Sequence, residues 1–215
     1  MNTKAIVFDL DGTLADSLAD IAAAGNHTLQ QLGLKPRDVA DYRQLAGQGL
    51  ESLLLDAAGA EHVAAGEPIF KAYYADHFTD QTRPYPGVAK LLNDCIQRDI
   101  RIAVLSNKPD AFTQQVMQIV FGQWSFDIVR GHVEGTAVKP DPAGAFVVRD
   151  ALGLQSSEIA YVGDTRADML TGRAADFYAV GVTWGFRDRD ELEASGAQGI
   201  VDHPDELLPL LDALR

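Results

Sequence analysis

The sequence is poor in the features that mark several large classes of protein. Cys95 is its only cysteine, which leaves no intramolecular disulfide and no thiolate cage for zinc, so a reducing cytoplasm is the expected compartment. The five histidines (His27, His62, His77, His132 and His203) are dispersed, with no HxH or HxxxH pair. Basic residues are outnumbered, 18 Lys and Arg against 31 Asp and Glu, and the formal net charge of −13 disfavours a nucleic-acid surface or an anionic membrane as partner. Long hydrophobic runs are missing as well. The opening "MNTKAIVFDL" meets Asp9 too soon for the apolar region of a signal peptide, and is far too short to span a bilayer. There is no low-complexity tract and no internal repeat. The chain holds no GxxxxGK[ST], no GxSxG and no HExxH, and "GQGLES" from Gly47 to Ser52 begins like GxGxxG but sits among helical segments and ends in Ser.

What remains is an ordinary folding composition: 215 residues, 47% hydrophobic and 23% charged, enough for one large domain or a core with a smaller companion. Short apolar runs alternate with helical patterns: "AIVF" (Ala5 to Phe8), "RIAVL" (Arg101 to Leu105), "FDIV" (Phe126 to Val129), "EIAYV" (Glu158 to Val162), "YAVGV" (Tyr178 to Val182), and "GIV" ending at Val201 as an edge. Runs that are apolar on both faces and separated by helices predict an α/β fold: a Rossmann-like parallel sheet with helices on both sides. Asp110 is the expected N-cap of one helix. Asp141 followed by Pro142 is the expected start of another, closed by Gly153. Residues 16–84 break the alternation and read as helices alone, through "SLADIAAAGNHTLQQLGL", "GLESLLLDAAGA" and "PIFKAYYADHF". The expected organisation is therefore a discontinuous core, 1–15 and 85–215, with a small helical cap inserted at 16–84 and "TRPYPGV" as the stiff return linker.

Ligands of an open parallel sheet gather at the carboxyl ends of its strands, and polar residues follow each run. The first run delivers Asp9, Asp11, Gly12 and Thr13; the second delivers Ser106, Asn107 and Lys108. "AVKPDP" delivers Lys139 before a helix, and "YVGDTRADM" delivers Gly163, Asp164, Thr165 and Asp168. Residues two apart on a strand share a face, so Asp9 and Asp11 point the same way. Two like charges about 4 Å apart repel by roughly 4 kcal/mol at an effective dielectric near 20, and two further carboxylates add to that. A cation is expected there. Oxygen ligands without thiolate or clustered His select Mg²⁺, with a substrate phosphate in its shell. Lys139 adds a fixed positive charge, while Ser106 and backbone N–H groups supply donors for phosphate oxygens. Each motif alone has a plainer reading, as a helix cap or a solvated turn; their coincidence at successive strand ends carries the functional one.

"DLDGTLADS", "LSNK", "KPDP" and "GDTRAD", in that order and with a helical insertion after the first, resemble the haloacid dehalogenase superfamily of Mg²⁺-dependent phosphotransferases. "TRPYPGV", "SNKP" and "GVTWGF" resemble its phosphoglycolate phosphatase branch. The resemblance implies that Asp9 is the nucleophile, forming an aspartyl-phosphate, and that Asp11 is the acid and base. It implies that Ser106 and Lys139 bind and neutralise the phosphoryl group. Asp9, the backbone carbonyl of Asp11, and Asp164 would hold Mg²⁺, with Asp168 as ligand or orienter. Thr13, Asn107 and Arg43 are the expected substrate-side residues, Arg43 with the Gly47–Gly49 turn facing the crevice from the cap. Lys71, also in the cap, reads as a surface lysine. Asp176 stands where relatives have Gly. The implied activity is hydrolysis of a small organic phosphate such as 2-phosphoglycolate by a monomer or homodimer. A pyrophosphatase or sugar-phosphate phosphatase is the alternative within the superfamily, and a phosphoaccepting signalling module is the alternative outside it.

Overall fold

The computed structural model describes residues 2–214. In chain order the elements are β1 (Ala5–Phe8), β2 (Ala15–Asp16), α1 (Leu18–Gln31), α2 (Tyr42–Leu45), α3 (Leu50–Ala58), α4 (Val63–His77), β3 (Arg83–Pro84), α5 (Val88–Gln97) and β4 (Arg101–Pro109). They continue with α6 (Asp110–Val120), β5 (Ile128–His132), α7 (Ala143–Leu152), β6 (Ile159–Gly163), α8 (Arg166–Ala174), β7 (Tyr178–Val182), α9 (Arg189–Ala194), β8 (Gly199–Val201) and α10 (Leu207–Asp212).

Six strands form one parallel sheet in the order β5-β4-β1-β6-β7-β8. Alternate residues of its central strands divide between two cores, as a period of two requires. Ile6, Phe8, Ile102, Val104, Ala160 and Val162 pack on one face. Ala5, Val7, Ala103, Leu105, Ile159 and Tyr161 pack on the other. Burying each large side chain among them contributes about 1.5–3 kcal/mol, and helices must cover both faces for that gain to be realised. Phe8 lies opposite both Val104 and Val162, so β1 and β6 end almost level with one another while β4 runs on past them to Pro109. The chain crosses from β1 to β4 on one side and later returns to β6 on the other, which opens a crevice at the carboxyl end of β1.

The expected sheet stands, with shifted edges. The "FDIV" strand runs from Ile128 to His132, and β4 continues past Leu105 to Pro109. Asp110 is the first residue of α6 rather than its cap, and its Oδ1 accepts from the Gly131 N–H at 2.8 Å. α7 starts at Ala143, one residue later than expected; Asp141 Oδ1 still accepts from the Ala143 N–H, and Gly153 ends the helix at φ 65°. Asp176 also takes a left-handed φ of 56° in the turn after α8, a conformation that Asp tolerates better than most residues.

The helices α1–α4 lie between β2 and β3, two-residue strands that pair antiparallel at the root of the insert. Two buried charges fasten this segment. Asp20 on α1, 1% exposed, accepts from the Thr82 N–H and hydroxyl at 2.8 and 2.7 Å, which pins the return linker. Arg187, from the loop after β7, donates to the carbonyls of Arg43, Gln44 (2.9 Å) and Ala46 (3.2 Å), the otherwise unpaired end of α2. Arg187→Ala leaves these carbonyls without that donor. It is expected to cost about 1–3 kcal/mol and to speed amide exchange in residues 44–49 ahead of the rest of the chain, read by hydrogen-exchange mass spectrometry.

Candidate active site

Asp9 follows the last residue of β1, and its N–H donates to the Val162 carbonyl of β6, which continues the ladder one residue past the strand. Its Oδ1 accepts from the Leu10 N–H at 2.7 Å and meets Lys139 Nζ at 2.9 Å. Its Oδ2 makes no hydrogen bond among the described residues, and Asp9 lines the crevice. Burial, and then the charge of Asp168, push the Asp9 carboxyl up to about 7 against the pull of Lys139. Oδ2 is therefore the Asp9 oxygen that no protein donor among the described residues engages.

Asp164 is fully buried, its oxygens accepting from the Thr13 hydroxyl (2.9 Å) and the Phe186 N–H (2.8 Å). Burial, then Asp168 and Asp9, raise its pKa well above the carboxylate range. Gly12 explains how the first loop comes so close. At φ 88°, a Cβ there would lie 2.2 Å from Asp164 Oδ2, so only glycine fits.

Asp168 is held on both sides. Oδ1 meets Lys139 Nζ at 2.7 Å, and Oδ2 accepts from the Thr165 N–H and hydroxyl at 3.0 and 2.7 Å, a capping box that starts α8. Lys139 thus bridges Asp9 and Asp168. Burial alone would lower its pKa, but Asp168 and Asp9 raise it well above the lysine range. Asp9, Asp164 and Asp168 each offer an oxygen within 4.8 Å of the others. Three buried carboxylates against one lysine leave an excess of negative charge. An all-oxygen donor set of that kind fits a hard divalent cation.

Asp11, expected beside this cluster, turns its carboxylate the other way. It accepts from the Ser17 hydroxyl at 2.6 Å and from Lys108 Nζ at 3.0 and 2.9 Å. Ser106 and Asn107 line the crevice. Asn107 also bridges elements, donating to the carbonyls of Gly47 (3.2 Å) and Lys139 (3.1 Å) and accepting from the Lys139 N–H at 2.7 Å.

Two expected substrate-side residues are placed elsewhere. Thr13 spends its hydroxyl on Asp164. Arg43 donates to the Gly185 carbonyl and does not line the crevice; it is the Gly47–Gly49 turn that does. Lys71 pairs with Glu67 at 2.5 Å, one helical turn away and outside the crevice. Sequence reasoning gave Lys108 no role, although it stands two residues after Ser106 on β4 and so shares its face. Tyr74 of α4 was missed entirely, having no motif around it; it lines the crevice with Ile21, Leu50, Leu53, Phe70 and Phe112. The space in which water-sized groups can centre there is about 60 Å³.

Paired carboxylates and two lysines at the carboxyl ends of a six-stranded parallel sheet, under a helical insert, define a hydrolase of the haloacid dehalogenase type. The chain matches the haloacid dehalogenase-like hydrolase family over residues 6–182 and belongs to it. Phosphoglycolate phosphatase of Pseudomonas fluorescens is 32% identical over 219 residues, covering 96% of this chain and 79% of that protein. N-acetylmuramic acid 6-phosphate phosphatase of Pseudomonas aeruginosa is also 32% identical over 219 residues, covering 99% and 96%. A haloacid dehalogenase-like hydrolase of Streptococcus pneumoniae shares the fold, with a TM-score of 0.90 at 24% identity over 98% of this chain and 99% of that one.

Proposed function

We propose that the protein is a phosphoric monoester hydrolase that uses Mg²⁺, acts on 2-phosphoglycolate or a similarly small organic phosphate, and works as a monomer or homodimer in the cytoplasm. No helix among the described residues is long and apolar enough to cross a membrane. The observation that carries the reading is Asp9 Oδ2, which no donor among the described residues engages, in a crevice between the Lys139-bridged carboxylates and the Asp11 carboxylate. We assign residues 1–15 and 85–215 to the catalytic core and 16–84 to the cap.

Asp9 Oδ2 attacks phosphorus, and the new O–P bond forms as the bond from phosphorus to the leaving oxygen breaks. The Ser106 hydroxyl donates to a phosphoryl oxygen, and Lys139 holds positive charge beside Asp9 throughout. Asp11, entering the step protonated, delivers that proton to the leaving oxygen. It then takes one from a water that attacks the aspartyl-phosphate, releasing inorganic phosphate and restoring Asp9. Asp9, the backbone carbonyl of Asp11, and Asp164 would hold Mg²⁺, which when bound supplies Lewis-acid stabilisation of phosphoryl charge. Asp168, with both oxygens engaged, orients Lys139 and the Thr165 loop. The closed insert excludes water from the first step.

The size of the crevice favours a small leaving group. Water-sized groups can centre in only about 60 Å³ of it. Glycolate, with about five heavy atoms, is on that scale, whereas an N-acetylated sugar acid with about twenty is not. Phosphate release is measured with 2-phosphoglycolate, N-acetylmuramic acid 6-phosphate and an aryl phosphate. The expected result is the highest kcat/KM on 2-phosphoglycolate, a loss of at least ~100-fold on metal removal, and recovery with Mg²⁺. Turnover that survives complete metal removal overturns the Mg²⁺ assignment, and no release from any ester overturns the phosphatase reading.

A further inference from the structure

The crevice has a second charged corner that the phosphoryl chemistry leaves over. Lys108 and Tyr74 meet there, one from the end of β4 and one from α4, so the corner exists only when the insert is closed on the core. The Lys108 ammonium lies 4.7 Å from the centre of the Tyr74 ring. It carries three N–H donors, and the two oxygens of Asp11 account for two of them. Tyr74 is 2% exposed, and its hydroxyl has no hydrogen-bond partner among the described residues. A buried hydroxyl left unpaired costs about 1–3 kcal/mol, which an acceptor arriving beside Lys108 would recover. Leu50, the first residue of α3, and Gly49 before it line the same crevice, and no side chain caps that nine-residue helix, so its free N–H groups also favour negative charge. The other lining that the insert contributes is apolar: Ile21, Leu53 and Phe70.

We propose that Lys108 and Tyr74 form the leaving-group subsite, and that they bind a carboxylate carried one or two carbons from the ester oxygen. This rests on the crevice being the place where a phosphate ester is hydrolysed, and it deepens that reading by naming residues that select the substrate. A carboxylate takes the remaining Lys108 N–H and the Tyr74 O–H, and its charge sits at the start of α3. A neutral alkyl leaving group leaves the hydroxyl unpaired. An uncharged polyol has no other polar side chain from the insert to meet.

The test uses two unreactive ligands of equal chain length, 3-phosphonopropionate and propylphosphonate, which differ by a carboxylate in place of a methyl group. They are titrated calorimetrically into the full chain in Mg²⁺ buffer. The wild type is expected to bind the carboxylate ligand at least about tenfold more tightly. Tyr74→Phe, which removes only the hydroxyl, is expected to shrink that preference about fivefold or more, and Lys108→Met to abolish it. A role for these residues in packing alone would weaken both ligands together. Equal affinities in the wild type, no detectable binding of either ligand, or a folded Tyr74→Phe protein that keeps the full preference overturns the proposal. Failure of the phosphatase reading shows separately, as absent phosphate release from 2-phosphoglycolate, because the titration needs no turnover.

Discussion

Asp9→Asn is expected to lower steady-state phosphate release by about 10⁴-fold or more, or ~5.5 kcal/mol of transition-state free energy, and at the same time to make the metal-free protein more stable. The first effect follows from geometry. Among the described residues Asp9 Oδ2 is the only oxygen of the Asp9, Asp11, Asp164 and Asp168 carboxylates with no protein donor, and an amide oxygen is a far weaker nucleophile. The second follows from electrostatics. Burial and the charge of Asp168 outweigh Lys139 and push Asp9 up to about 7, from an ordinary value of 3.8. For a carboxyl raised on folding, the sign runs against stability. Below pH 3.8 both states hold the proton and nothing is lost. As pH rises to about 7 the unfolded chain releases a proton that the folded protein retains, so stability falls; above 7 the full cost remains.

Removing the charge eliminates a cost on the order of 1–4 kcal/mol at neutral pH, which corresponds to several degrees in melting temperature for a chain of this size. Melting curves at pH 5 and pH 7.5 without divalent metal check this. The variant should gain most at the higher pH. In the wild type, added Mg²⁺ should stabilise more at pH 7.5 than at pH 5. A variant less stable than the wild type at pH 7.5 shows that the pair with Lys139 outweighs burial. Retained turnover removes Asp9 as nucleophile.

Lys139→Met is expected to be the most disruptive single substitution at the site. The ammonium is 4% exposed and touches Asp9 at 2.9 Å and Asp168 at 2.7 Å, with Asp164 in the same cluster. Its loss leaves buried carboxylates without their fixed counter-charge, and breaking a buried pair from one side costs about 3–5 kcal/mol. Activity should fall at least ~10³-fold, since the charge beside the nucleophile goes too. The double variant Lys139→Met, Asp168→Asn separates the causes. If charge is at fault, it recovers at least half of the lost stability in urea denaturation while staying inactive. If the loss is one of packing, the second substitution adds to the damage.

Much of this protein was decided by the sequence itself. Apolar runs with buried residues at every position can only be strands covered on both faces, so the parallel sheet and the location of the site at strand ends were legible before any coordinates. Most candidate site residues were legible for the same reason: Asp9, Ser106, Asp164 and Asp168 each sit within a few residues of a strand end, and Lys139 stood out in "KPDP" before a helix. Where a pattern is too short to repeat, the sequence was silent. The two-residue strands β2 and β3 have no period to detect, and the start of α7 moved by one residue because Asp141 and Pro142 can begin a helix in more than one register.

Tertiary structure decided what each charge does. Asp11 and Asp9 share a strand-end motif, yet one faces Lys108 and Ser17 while the other faces Lys139, because the direction of each side chain depends on a lysine about a hundred residues or more away. Arg43 binds a carbonyl of the core instead of the crevice, and Arg187, with no motif to announce it, anchors the insert. Tyr74 reads from sequence as one more apolar position on a helix. Only the docking of α4 over β4 sets its unpaired hydroxyl beside Lys108, since long-range contact, unlike periodicity, leaves no mark in the local order of residues.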